Sequence, residues 1–433
     1  MKRLRFLIYN GIALPVMWFL FHTYSIWNKK IRNGLKDRRG LMSRLGEQLT
    51  LYDGHGPRFW IHNSSMGEFE QAKPIIKQLR KEFPRCFILV TFFSPSGYQN
   101  TKEYEYADIL TYIPFDTFHN ARNFIDLAKP DMAVMIKYDL WPNHLWYCFE
   151  KKVPVLLVNA SVRPAVLKNR GPMKRFFLPI YNNFTSILTI SKEAKDYMDG
   201  ILKHSRRIQV TGDTRYDQVL NRAESAADDV HWLEAVAGNK PCLVAGSTWP
   251  GDERRLVPGI RRAFDQGIHF KVIIVPHEPT EEHVGKLELL LDEHKLTHTR
   301  FSELHESSTA EENVLIVDTV GILASLYSLA DITYVGGGFS TGVHSVLEPA
   351  AFGKPVLFGP KHYNSHEAIE LTANGGGVEV KTDMDIYDYF ARVFADRKTL
   401  LQSGERAGIL VHENRGATKR IVQHIKDCLP DHA

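Results

Sequence analysis

The chain has 433 residues, enough for two or three domains at roughly 150 residues each. Hydrophobic residues make up 44% and charged residues 24%, which excludes a disordered or collagen-like chain and leaves material for two buried cores. The net charge of +4 is too mild to point to nucleic acid, and four scattered cysteines with no C-x-x-C pair exclude a disulfide framework or zinc ribbon.

Residues 6–27 contain no Asp, Glu, Lys or Arg, and 16 of the 22 are apolar. As a helix they would extend about 33 Å, close to the hydrocarbon thickness of a bilayer. Asn10, Gly11, Pro15, His22, Thr23 and Ser25 weaken a spanning helix, and a helix lying in the interface is the alternative. Lys2, Arg3 and Arg5 precede the stretch; Lys29, Lys30, Arg32, Lys36, Arg38 and Arg39 follow it. The heavier basic side places the following body in the cytoplasm, drawn to anionic lipid headgroups. Residues 1–44 therefore read as a membrane anchor with a basic juxtamembrane segment.

From residue 58, short apolar runs alternate with amphipathic segments. Strands are expected at 59–62, 86–91, 109–113, 132–136, 153–159 and 186–190, with helices between them such as 69–81 and 118–128. A second series of strands is expected at 242–246, 269–275, 314–317, 332–335, 355–358 and 377–380. The polar, helical-looking segment 213–239 is the seam, giving domains at 45–212 and 213–433. This is an α/β pattern of two doubly wound, Rossmann-like domains facing a cleft, with ligands beyond the carboxyl ends of the strands.

Four segments there can carry chemistry. Ser65-Met66-Gly67-Glu68 follows the first strand; it reads equally as a helix capping box or as a base beside a glycine that admits substrate. Lys137 and Asp139 follow the fourth strand, as solvated ends or cleft-lining groups, and share a side if the strand continues. Arg215 lies at the seam, either facing the cleft or closing a structural salt bridge. Gly336-Gly337-Gly338 and the run to Ser345 precede a helical segment, where backbone N–H groups can cradle a phosphate. Glu348, in the first turn of that segment, would bind ribose hydroxyls or merely complement the helix dipole. The spacing is not G-x-G-x-x-G, which disfavours a nicotinamide dinucleotide. His294 and His298 read as a polar helix face rather than a metal pair, and neither H-E-x-x-H nor G-x-S-x-G is present.

The ordered set of markers resembles the 3-deoxy-D-manno-octulosonic acid (Kdo) transferase family. In the first half these are Ser65-Met66-Gly67-Glu68, Ser94-Pro95-Ser96-Gly97, Ile113-Pro114-Phe115-Asp116, Leu140-Trp141-Pro142-Asn143 and Val158-Asn159-Ala160. The second half adds Ala245-Gly246-Ser247-Thr248, Asp252-Glu253, Gly336-Gly337-Gly338, Leu347-Glu348-Pro349-Ala350-Ala351 and Gly353-Lys354-Pro355-Val356. The resemblance implies a GT-B glycosyltransferase on the cytoplasmic face of the bacterial inner membrane. It implies transfer of Kdo from CMP-Kdo to a lipid A precursor with inversion, with no metal or other cofactor and no nucleic acid partner. It assigns the acceptor to the amino-terminal domain and the cytidine nucleotide to the carboxy-terminal one. Glu68 aligns with the general base, and Arg215 with a lysine that stabilises the departing charge. Pro276-His277, Val320-Gly321-Ile322 and Ser345-Val346-Leu347-Glu348 align with CMP-binding segments. Three positions depart from the family pattern. Lys137 stands for a glutamate assigned to transition-state support, with Asp139 keeping the second acidic position. His277 stands for an arginine, and Ile322 for a polar partner. Another GT-B transferase or epimerase, or a non-catalytic sugar-nucleotide binder, are the rival readings.

Overall fold

The computed structural model describes residues 2–52, 56–99, 101, 103–138, 140–161, 171–203, 205–226, 240–304 and 312–429. They form two compact units, one from Met1–Gln218 with Arg415–Ala433 and one from Val219–Asn414.

The first unit is built on β1 (Arg58–Asn63), β2 (Phe87–Phe92), β3 (Ile109–Tyr112), β4 (Met132–Ile136), β5 (Val155–Ala160), β6 (Ser186–Thr189) and β7 (Ile208–Val210). All pairings are parallel, in the order β3-β2-β1-β4-β5-β6-β7. The strands are nearly continuous apolar runs because helices cover both faces. Trp60, Leu89, Met135 and Leu157 enter one core. Their neighbours Phe59, Ile61, Ile88, Val134 and Leu156 enter the other, as the period of two requires.

The second unit repeats the plan with β8 (Cys242–Thr248), β9 (Lys271–Pro276), β10 (His298–Arg300), β11 (Val314–Ile316), β12 (Ile332–Val335), β13 (Val356–Phe358) and β14 (Gly377–Glu379). The order is β10-β11-β9-β8-β12-β13-β14, again wholly parallel. In each sheet the winding reverses beside the first strand, at β1/β4 and at β8/β12. Such reversals open a crevice beyond the carboxyl ends of the strands.

Three expectations are corrected. β7 and β10 lie at sheet edges and are three residues each; β10 is half-buried throughout and too polar to signal a strand. His298 therefore begins β10, while His294 follows the helix Glu281–Glu293, so the two do not share a helix face. The terminal helix Ala417–Cys428, expected with the second half, belongs to the first unit. Its Ile421, Val422 and Ile425 join the core of Phe59 and Ile61. Arg420 Nε donates to Thr211 O at 2.7 Å, and Asp217 accepts from the N–H groups of Gly416 and Thr418 at 2.6 Å each.

The amino-terminal stretch is one helical rod. Lys2–Ile8 is α-helical, Tyr9–Ala13 makes a π-helical turn, and Leu14–Ser25 continues as α-helix. The wide turn sits just before Pro15, which cannot donate to the preceding turn and would clash with it in a regular helix. The helices Lys29–Asp37 and Leu41–Thr50 follow.

Candidate active site

In the first unit, the loop after β1 turns directly into the helix Met66–Glu82. Glu68 Oε2 accepts from the N–H of Ser64 at 2.5 Å and of Ser65 at 3.2 Å. That is the carboxylate half of the expected capping box, which satisfies early helix donors. The side chain is nonetheless only half-buried. The neighbouring Gly67 is exposed, and a Cβ built on it meets nothing within 4 Å. Capping and approach therefore coexist at one loop.

Two further loops stand beside it at the same sheet edge. β4 ends at Ile136, paired with Val158 of β5. Lys137 then adopts a left-handed backbone (φ 65°), with its N–H on Val158 O at 2.9 Å. The strand ends at Ile136, and Asp139, with the side it was expected to share with Lys137, lies outside the described residues. Past β7, Arg215 Nε and Nη2 bind Asp213 Oδ2 at 2.9 and 2.7 Å, the salt bridge that was its alternative reading. Its helix, Thr214–Ala226, is tied to the Glu68 helix. Thr214 Oγ1 donates to Gln71 O at 2.7 Å and accepts from Asn159 Nδ2 at 2.6 Å. Asn159, fully buried at the end of β5 with φ 53°, also reaches Gln71 Oε1 at 3.3 Å. Gln71 and Thr214 were not singled out in the sequence; their pairing is long-range and leaves no local signal. Glu68, Lys137 and Arg215 are thus carried on three loops of one edge, two of them joined through Gln71.

In the second unit the loops after β8, β9, β11 and β12 gather the other predicted residues. Trp249 follows β8, and its indole Nε1–H donates to His344 Nε2 at 2.9 Å. His277, one residue past β9, stacks on His344 with centroids 4.2 Å apart, and Trp249 lies 5.0 Å from His277. Burial, reinforced by the charge of His277, pulls the His344 imidazole down to about 4, so it stays neutral and can accept from the indole. Pro276 closes β9. Val320 is 80% exposed, Gly321 has φ 101°, and Ile322 precedes the helix Leu323–Leu329. Ser345 is exposed, Val346 and Leu347 are buried, and Glu348 accepts from Arg222 Nη1 at 3.0 Å.

The glycine run has a different duty from the one expected. A Cβ on Gly336 would stand 2.2 Å from Ser247 O, on Gly337 2.2 Å from Gly342 O, and on Gly338 2.5 Å from the Gly359 backbone. The N–H groups of Gly336, Gly337, Ser340, Gly342 and His344 bind Gly246 O, Asp252, and the carbonyls of Gly337 (twice) and Gly336. The glycines let backbone meet backbone, and those donors are not available to a phosphate. Asp252 organises the loop: fully buried, it accepts from Tyr334 Oη at 2.8 Å and from the N–H groups of Gly337 and Trp249 at 2.9 and 3.0 Å. Burial pushes its carboxyl above the ordinary value, against the pull of those donors.

Two wholly parallel doubly wound sheets, each collecting polar groups beyond its carboxyl edge at the winding reversal, define a GT-B type of protein. UDP-GlcNAc 2-epimerase from Neisseria meningitidis has this fold, superposing with a TM-score of 0.60 at 16% identity over 86% of this chain and 100% of that one. A family model described as 3-Deoxy-D-manno-octulosonic-acid transferase (kdotransferase) matches residues 34–218. The 3-deoxy-D-manno-octulosonic acid transferase of Haemophilus influenzae is 25% identical over 376 residues, 86% of this chain and 87% of its own. That of Chlamydophila psittaci is 27% identical over 405 residues, 91% and 90% respectively. Residues 34–218 thus match the Kdo transferase family, and over most of its length the chain is similar to Kdo transferases.

Proposed function

We propose that the protein transfers Kdo from CMP-Kdo to a lipid A precursor with inversion at the anomeric carbon. Glu68 takes the proton of the acceptor hydroxyl as its oxygen bonds to that carbon; the bond to the CMP phosphate breaks, and CMP leaves with the electron pair. The observation that carries this reading is Glu68 itself, a half-buried carboxylate at the carboxyl edge of β1 beside the open Gly67. A base must lie within hydrogen-bond reach of the proton it removes, and no covalent nucleophile is required.

Arg215, anchored by Asp213, is assigned to the charge on the departing phosphate. Lys137 is assigned to orienting a carboxylate or phosphate, with Asp139 in the acidic role. The first unit is assigned the acceptor. The second is assigned the cytidine nucleotide, through Pro276, His277, Val320, Gly321, Ile322, Ser345, Val346, Leu347 and Glu348. The uncharged stretch 6–27 and its basic flanks support residence at the cytoplasmic face of the inner membrane, where such an acceptor lies. Incubating membranes that carry the protein with CMP-Kdo and tetraacylated lipid A precursor tests the assignment. Formation of Kdo-lipid and CMP is expected; nucleotide-sugar binding without transfer would return the protein to a binding role.

A further inference from the structure

Two marker segments, Ile113-Pro114-Phe115-Asp116 and Leu140-Trp141-Pro142-Asn143, have no part in the transfer chemistry. They meet beneath the amino-terminal helix. Asp116 is fully buried, and its carboxylate accepts from the Tyr9 hydroxyl at 2.8 Å, the Asn143 N–H at 3.1 Å and the His144 N–H at 3.1 Å. His144 Nδ1 lies 2.5 Å from the same carboxylate. Asn10 and Asn143 exchange side-chain amide bonds at 2.9 and 3.1 Å. Phe6 stands edge-on to Phe118 at 5.2 Å, and Phe21 edge-on to Phe93 at 5.6 Å. From Phe6 to Phe21, sixteen residues and about 22 Å of helix are therefore fastened along the first unit.

The rest of the rod's surface is apolar and bare. Leu7, Ile12, Val16, Phe19 and Leu20 are 52–64% exposed, and Trp27, two residues past the rod, is 73% exposed. A helix held lengthwise on a water-soluble body cannot cross about 30 Å of hydrocarbon unless the body enters with it. Withdrawing it from the body would also strip the Asp116 carboxylate and the Asn143 amide of partners. We infer that the helix lies in the plane of the bilayer, its apolar side sunk in one anionic leaflet and its other side pinned to the body by Tyr9 and Asn10. This rests on the membrane part of the proposed function and narrows it: the amino terminus stays on the same side as the body. The basic residues fit that occupant, since Arg3 and Arg5 begin the rod and Lys29, Lys30, Arg32, Lys36 and Arg39 follow it. Each adds attraction to an anionic surface.

The test is labelling with a membrane-impermeant maleimide in inside-out inner-membrane vesicles. Cys428→Ser removes the one cysteine that is not buried, and Lys2→Cys or Lys81→Cys is then added to the full chain. The in-plane helix requires both positions to label fully without detergent. Labelling of Lys81→Cys alone, with Lys2→Cys lost until detergent is added, means a spanning helix and overturns the inference. A protein that fails to float with the vesicles, or a lipid-free oligomer, removes the lipid occupant altogether and takes the membrane reading with it. Tyr9→Phe in the same format should keep sidedness while increasing carbonate release.

Discussion

The loops that leave the first strand of each sheet share one local plan and differ in what they are for. After β1, Glu68 is the third residue of its helix and takes two backbone N–H groups. After β8, Asp252 holds the same position in the helix Pro250–Asp265 and also caps its start. Asp252 is then buried and saturated by Tyr334 and Gly337, whereas Glu68 stays half-open beside Gly67. Adjacent glycines follow suit: Gly67 faces space, while Gly336 and Gly338 face backbone. A capping carboxylate beside glycine is closed off in one unit and left accessible in the other. Burial decides which.

Substitutions can break that contrast. We predict the largest effect for Gly338→Ala, because its Cβ would press on the backbone of Gly359, which cannot yield as a side chain would. A loss of about 3 kcal/mol is expected, read as a lower denaturation midpoint. Asp252→Ala should cost about 2 kcal/mol, since it leaves buried donors without an acceptor. Loss of transfer in these two variants should follow the folded fraction. Gly67→Ala should do the reverse: a stability gain of about 0.5 kcal/mol from helix propensity, with transfer falling as the added methyl fills the approach. A Gly67→Ala enzyme with full transfer would show that nothing needs to approach there.

A separate prediction concerns pH and the stacked pair in the second unit. His344 is held down at about 4 in the folded protein against an ordinary 6.5. As pH falls through 6.5 the unfolded chain takes up a proton that the folded protein refuses. Stability should therefore decline between pH 6.5 and 4 and level off below. His344→Gln should flatten this decline in a pH series of melting temperatures. An unchanged slope would mean that the ring protonates in place.

Much of the fold was legible because parallel strands buried on two faces are written as apolar runs such as Met132–Ile136, bounded within a residue or two. The edges were not. Gln209 and Val210 of β7 are exposed, so no burial pattern announces that strand. The apolar stripe of Ala417–Cys428 is the same whichever unit it covers. At the site, Ser65-x-x-Glu68 declared its helix start, and Arg215 its two alternatives. Glycine content could not tell whether phosphate or backbone fills the space, so the duty of Gly336–Gly338 was invisible. Asp116 and Asn143 were visible as markers only. Their meaning depends on Tyr9 and Asn10, more than a hundred positions away.

The assignment of Glu68 as base is tested most directly by Glu68→Gln, which keeps the size and the capping oxygen but removes the basicity. Transfer from CMP-Kdo to lipid A precursor is measured beside the melting temperature of the same preparation. A fall of about a hundredfold or more at an unchanged melting temperature is predicted. Turnover near that of the wild type in a folded Glu68→Gln protein would leave Glu68 a helix cap and nothing more.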